Sequence, residues 1–115
     1  SIYARNIWCT ADNSGNNSFG GRASTTGGMD IGHATSTGNA AGESASNELT
    51  ILNPHSTTNQ KFVTTVGAHV DASGNGRTTF GAFRINTTSA ISGLQVLPGS
   101  GTITDVNISI YGIKA

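Results

Sequence analysis

The sequence predicts an all-β protein: an antiparallel β-sandwich or jelly roll of about seven or eight strands, with a long irregular N-terminal half. Three observations carry that expectation. From residue 48 onward, apolar and polar residues alternate with a period of two, the signature of half-buried strands. Clusters of Gly, Asn, Asp, Ser and Pro, the residues that turn a chain, separate those segments. No window of eleven or more residues carries helical periodicity.

Ile2 to Thr10 and Met29 to Ala34 read as weak strands. From Thr10 to Glu48, a stretch of 39 residues, the only large apolar side chains are Phe19, Met29 and Ile31. Ordering backbone costs about 1 to 2 kcal/mol per residue, which so little apolar surface cannot offset. The stretch is therefore expected to lean on neighbouring chains; the rival reading is surface loops hydrogen-bonded to their own domain. Glu48 to Leu52 reads as a strand stopped by Asn53-Pro54. Lys61 to Asp71 alternates cleanly, with Phe62, Thr64, Val66, Ala68 and Val70 on one face and Val63, Thr65 and His69 on the other. Asp71 to Gly76 is dense in residues that accept positive φ and should turn the chain into a strand from Arg77 to Asn86. Ala90 to Leu97, a Pro98-Gly99-Ser100-Gly101 turn, and Thr102 to Ile113, in which Val106, Ile108 and Ile110 share a face, complete the set. Phe62, Val66, Phe83, Leu94, Ile108 and Ile110 are the expected core. A chain of 115 residues suits one domain, with residues 1–47 an extended, assembly-contacting segment and 48–115 the sandwich body.

Composition narrows the function. Gly, Thr, Ser and Asn supply 56 of the 115 residues, and charged residues are 10%, against roughly 25% in ordinary soluble domains. With a formal net charge of zero, the chain has no field to hold a phosphate backbone, so nucleic acid is not an expected partner. No apolar run approaches the roughly 18 residues of a membrane-spanning helix, and the N-terminus lacks the pattern of a signal peptide, so a soluble chain without a membrane partner is expected. Cys9, the single cysteine, can form neither an intrachain disulfide nor a cysteine zinc site. A small sandwich with so few charges to guard its edges invites pairing, which oligomerisation would absorb.

Candidates for chemistry are sparse. Asp71 to Gly76 matches the first half of a calcium loop, but position 12 is Ala82 where a bidentate Glu is required, and a hairpin turn explains it better. His33, His55 and His69 are too scattered to form a local ligand pair. The six carboxyls (Asp12, Asp30, Asp71, Asp105, Glu43 and Glu48) could supply a glycosidase-like pair only by chance, and no nucleophile elbow, phosphate loop or dinucleotide fingerprint occurs. No catalytic, cofactor or metal residue is expected, and the protein reads as non-enzymatic. Tyr3, Trp8 and Tyr111 could stack on a sugar ring, although Trp8 reads better as an interface or core anchor. The expected partner contacts are Ile2, Tyr3, Ile7, Trp8, Phe19, Met29 and Ile31.

The last third carries a resemblance. Thr87-Thr88-Ser89-Ala90-Ile91-Ser92-Gly93-Leu94-Gln95-Val96-Leu97, a Gly-Ser-Gly turn, and Val106-Asn107-Ile108-Ser109-Ile110-Tyr111-Gly112-Ile113-Lys114 resemble the C-terminal signature of tailed-bacteriophage structural proteins. Leu49 to Pro54 and Lys61 resemble the strand, turn and strand that precede it there. The likeness covers roughly residues 48–114; residues 1–47 carry none. It implies a jelly roll in a homo-oligomer, trimer before dimer, located in the extracellular virion. The first function it implies is a capsid cement or decoration protein that clamps neighbouring subunits of the major capsid protein. The second is a tail-fibre or spike tip, or a tail-needle knob, that contacts the host surface and its saccharides. Beside what the resemblance implies, a carbohydrate-binding module or small enzyme outside any virion is the third reading, and a self-assembling surface filament subunit the fourth. Because charges are so few, association with an assembly should change little between low and moderate salt; a steep fall in particle occupancy across that range would contradict an apolar, backbone-bonded contact.

Overall fold

A computed structural model describes residues 2–11, 15, 17–24 and 37–113, with side chains described over residues 37–113. The chain is all-β: five strands, β1 (Ile2–Ala11), β2 (Asn17–Ser24), β3 (Ala45–Leu52), β4 (Lys61–Val70) and β5 (Gly76–Ile85), form one antiparallel sheet. Their spatial order is β2-β1-β5-β4-β3. β3, β4 and β5 form a meander, and β5 returns to pair with β1, Ile2 standing opposite Ile85 and Cys9 opposite Thr78. β1 is thus interior, and β2 and β3 are the two edges.

Local chemistry explains the β3 to β5 boundaries. β3 stops where Asn53 takes a left-handed φ of 55°, a conformation asparagine tolerates, ahead of Pro54, and Ser56 N donates to Asn53 O at 3.1 Å to close the turn. β4 and β5 are joined by the turn foreseen at Asp71. Gly74, at φ 78°, donates to Asp71 O, and Asp71 N donates to Asn75 O. Gly67 stands opposite Asn47, and a Cβ there would collide with the Asn47 side chain, so glycine is what lets the asparagine lie across β4.

The alternation along β4 is as expected, but the covered face is the other one. Val63, Thr65 and His69 are buried, whereas Phe62, Thr64, Val66 and Ala68 are exposed. On β5, Thr79 and Phe83 are buried. Val63 and Phe83, directly opposite each other, are the core, with Ile51 and Ile85 packed against them. Of the six expected core residues, only Phe83 is buried; Phe62, Val66, Leu94, Ile108 and Ile110 are exposed. Alternation identifies which residues share a face, and something outside the strand decides which face is covered.

The described residues show one open sheet and no second layer of the expected sandwich. Residues 86–113 form no strand, so the segments at Ala90 to Leu97 and Thr102 to Ile113 contribute no ladder to the sheet. The N-terminal half holds more strand than its composition suggests: β2 lies within the apolar-poor stretch, and residues 37–44 bond to the end of β4 through Gly38 N to Val70 O and Val70 N to Ser44 O, each 3.0 Å. For those parts of the stretch, hydrogen bonding within the domain supplies the order. The strand expected at Met29 to Ala34 lies outside the described residues.

Lys61 closes the lower end of the buried face. Its side chain is fully buried, and Nζ donates to Ser56 O, Asn59 O (3.0 Å), Thr88 O (2.9 Å) and Thr87 O (3.5 Å). One ammonium therefore ties the β3–β4 loop to the chain leaving β5. Lys61→Met preserves the apolar stem but leaves those carbonyls without their donor. It should destabilise the fold by about 2–4 kcal/mol, read as a lower urea midpoint at unchanged m-value.

Candidate assembly surface

The exposed face of the sheet carries four large apolar side chains among those described. Leu52, Phe62, Val66 and Phe80 are each 49–52% exposed. Register places them together: Leu52 is opposite Phe62, Val66 opposite Phe80, and the position of Ile7 on β1 opposite Phe80. Cross-strand neighbours of this kind lie about 5 Å apart, so each is a contacting pair, with Arg84 opposite Phe62 and Glu48 opposite Val66 on the same face. Thr64 and Ala82, also opposite one another, fill the middle with small side chains.

The segment after β5 mirrors this surplus. Of the fourteen exposed large hydrophobic residues among those described, nine lie beyond residue 93, including Leu94, Val106, Ile108 and Ile110. The segment is anchored at its start: Ile91 N donates to Pro54 O at 2.8 Å, and Lys61 holds Thr87 and Thr88. Beyond Ile91, no backbone hydrogen bond joins it to the rest of the described residues. Between Asp105 and Ile110 it alternates polar and apolar residues, the pattern of a strand with one wet and one dry side. We refer to residues 92–113 as the arm.

The accessible surface of the whole chain is also large. It is 8185 Å², whereas a compact monomer of 11.7 kDa exposes about 5,900 Å². The difference, roughly 2,300 Å², is on the scale of surface that protein interfaces bury.

The candidates for chemistry fall differently. Asp71, half of the calcium-loop pattern, spends its carboxylate on the turn. Oδ1 accepts from Ser73 N (2.9 Å) and Asn75 N (3.0 Å), and Oδ2 accepts from Arg77 Nε (2.8 Å), whose guanidinium also pairs with it at 2.8 Å. Glu43 accepts from Ala40 N at 2.6 Å. No cluster of three His, Cys, Asp or Glu suited to a metal occurs among the described residues. An open groove of about 500 Å³ lies beside His69 and Arg77, bordered by Ser44, Ser46 and Thr78. The guanidinium that would draw an anion into it is already paired with Asp71. His55 lies in the β3–β4 loop, and His33, Asp12 and Asp30 lie outside the described residues.

The expected partner contacts divide by register. The positions of Tyr3 and Ile7 stand opposite Arg84 and Phe80 on the open face, and those of Ile2 and Trp8 opposite Ile85 and Thr79 on the buried one. Phe19, on β2, is opposite Cys9. Met29 and Ile31 lie outside the described residues. Missed at the sequence level were Leu52 and Phe80 as members of an exposed apolar patch. The available signal was that β4 and β5 carry large apolar residues on both faces, more than a one-sided sheet needs. Comparison with known proteins finds no matching family model and no significant similarity to any curated protein or solved structure.

Asp71 also gives a pH test. The backbone N–H of Asn75 is the main influence holding its carboxyl down, at about 2 against an ordinary 3.8; Arg77 and the Ser73 N–H add to this, and desolvation opposes it. A depressed folded-state pKa means stability present above pH 4 and lost as pH falls toward 2. Thermal midpoints should therefore fall between pH 4 and pH 2, and Asp71→Asn should flatten that part of the profile; an unchanged slope would show that the turn carboxylate is not the group responsible.

Proposed function

We propose that this chain is a non-enzymatic structural subunit of a bacteriophage particle, a capsid cement or decoration protein that joins neighbouring capsid subunits. The observation that carries the assembly role is the pairing of an open apolar sheet face with an arm that has no ladder of its own. A chain exposing both is built to be completed by others. In the assembled state the two strand-patterned segments of the arm region, near 90–97 and 102–113, add a second layer, and five strands become the seven-stranded sandwich that the sequence suggests. The kind of particle rests on the likeness of residues 87–114 to the C-terminal segment of tailed-phage structural proteins.

The mechanism is mechanical. Cement raises the free energy of separating capsid subunits by adding interface that must be torn open, and about 1,600 Å² is enough for a specific contact. With charged residues at 10%, that contact is made by apolar packing and backbone hydrogen bonds. A tail-fibre or spike tip, or a tail-needle knob, touching a host-surface saccharide is the second reading. It is favoured by the same C-terminal likeness and by the exposed Tyr111, a ring able to stack on a sugar.

Copy number tests the proposal. Quantitative mass spectrometry of purified particles should find hundreds of copies per particle. A few to a few tens would move the protein to the tail, and exclusion from particles in cells that make the chain would overturn both readings.

A further inference from the structure

We infer that the open face of the sheet is the docking site for the arm of a second copy of this chain, so that protomers exchange residues 102–113 and each completes the other's sandwich. This rests on reading the chain as an assembly subunit, and it names the first partner in that assembly as the chain itself. Both halves of the contact belong to one sequence. The acceptor is the patch of Leu52, Phe62, Val66 and Phe80. The donor is Val106, Ile108 and Ile110, which alternate in sequence with Asp105, Asn107 and Ser109, so that an extended chain would put the apolar three on one side. Laid on the patch, such a segment turns its apolar side to the sheet and its polar side to water, as a strand in a two-layer sandwich does.

Two features point to exchange between copies. The first is how the arm leaves the body. Lys61 and the Ile91 N to Pro54 O bond fix residues 87–91 at the end of the sheet where β3 and β5 finish, and the Pro98 to Gly101 turn follows seven residues later. The hinge is held while, beyond Ile91, no backbone hydrogen bond ties the segment to the other described residues, a geometry from which identical elements can swap. The second feature is area. Over the whole chain, the excess of roughly 2,300 Å² is larger than the roughly 800 Å² that one partner gives up in a specific interface. The low charge of the surface adds no repulsion between copies: the formal net charge is zero.

The test uses isotope-mixed full-length chains carrying the photo-cross-linking residue benzoylphenylalanine in place of Phe80, a half-exposed position. Light and heavy chains are unfolded, mixed one to one, refolded together and irradiated, and cross-linked peptides are sequenced. The inference expects position 80 joined to peptides within 102–113, with about half of the pairs carrying one light and one heavy partner, the ratio of random exchange. Same-label pairs alone would show the arm folding onto its own sheet, and an absence of links to 102–113 would show that the face takes something else; either overturns the inference. Sedimentation of the unsubstituted chain supplies a second reading: an oligomer at micromolar concentration that the double variant Ile108→Asp, Ile110→Asp converts to a β-rich monomer is expected. A monomeric unsubstituted chain overturns the exchange, and one still found in particles would do so while leaving the assembly role standing.

Discussion

The structure turns on one constraint: residues 92–113 bring exposed apolar side chains and backbone hydrogen-bonding groups that form no ladder with the five-stranded sheet. Backbone N–H and C=O groups must bond to something, and apolar surface leaves water wherever cover exists. The consequence is visible in shape. A radius of gyration of 15.1 Å exceeds the roughly 13 Å of a compact chain this long, and the largest dimension is 47 Å. Excess surface, an open sheet face and an unpaired arm are three views of one deficit.

The sheet meets its own needs with unusual materials. Among the residues whose side chains are described, its fully buried positions hold two large apolar residues, Val63 and Phe83, beside Thr65, Thr79, His69 and Lys61. Burying polar groups is costly unless they are bonded: four carbonyl oxygens take the place of water around the Lys61 ammonium, whereas the buried hydroxyls of Thr65 and Thr79 have no partner among the described residues. Lys61 also decides where the arm begins, so the device that seals the sheet also positions the part of the chain that leaves it. At the opposite end, Asp71 organises the β4–β5 turn through two backbone N–H groups and Arg77. Both ends of the hairpin are thus set by one charged side chain surrounded by backbone.

This division of labour suits a component of a larger assembly. A neutral surface poor in charge gives little long-range steering, and contacts must come from shape, apolar patches and strand pairing. Composition at first directs attention to the apolar-poor N-terminal half as the part needing neighbours. In the structure β2 pairs within the sheet and residues 37–44 bond to β4, while the surplus of exposed apolar residues lies in the C-terminal third. A shortage of apolar residues is met locally by a β ladder; a surplus of them without a ladder is not met at all.

The sequence by itself determined the strand class, the β4–β5 hairpin with its turn at Asp71, the stop at Asn53-Pro54 and the two-face partition of β4. Each is encoded within a few residues: side-chain period, φ preference, the ring of a proline. It also determined the poverty in charge that limits what the surface can attract. Only the tertiary structure decided that Val63 rather than Val66 is covered, that β1 lies inside the sheet beside β5, and that the arm adds no strand to it. Those outcomes depend on which segments meet across long separations in the chain, and a period-two pattern is identical whether its apolar side faces a core, a partner or water.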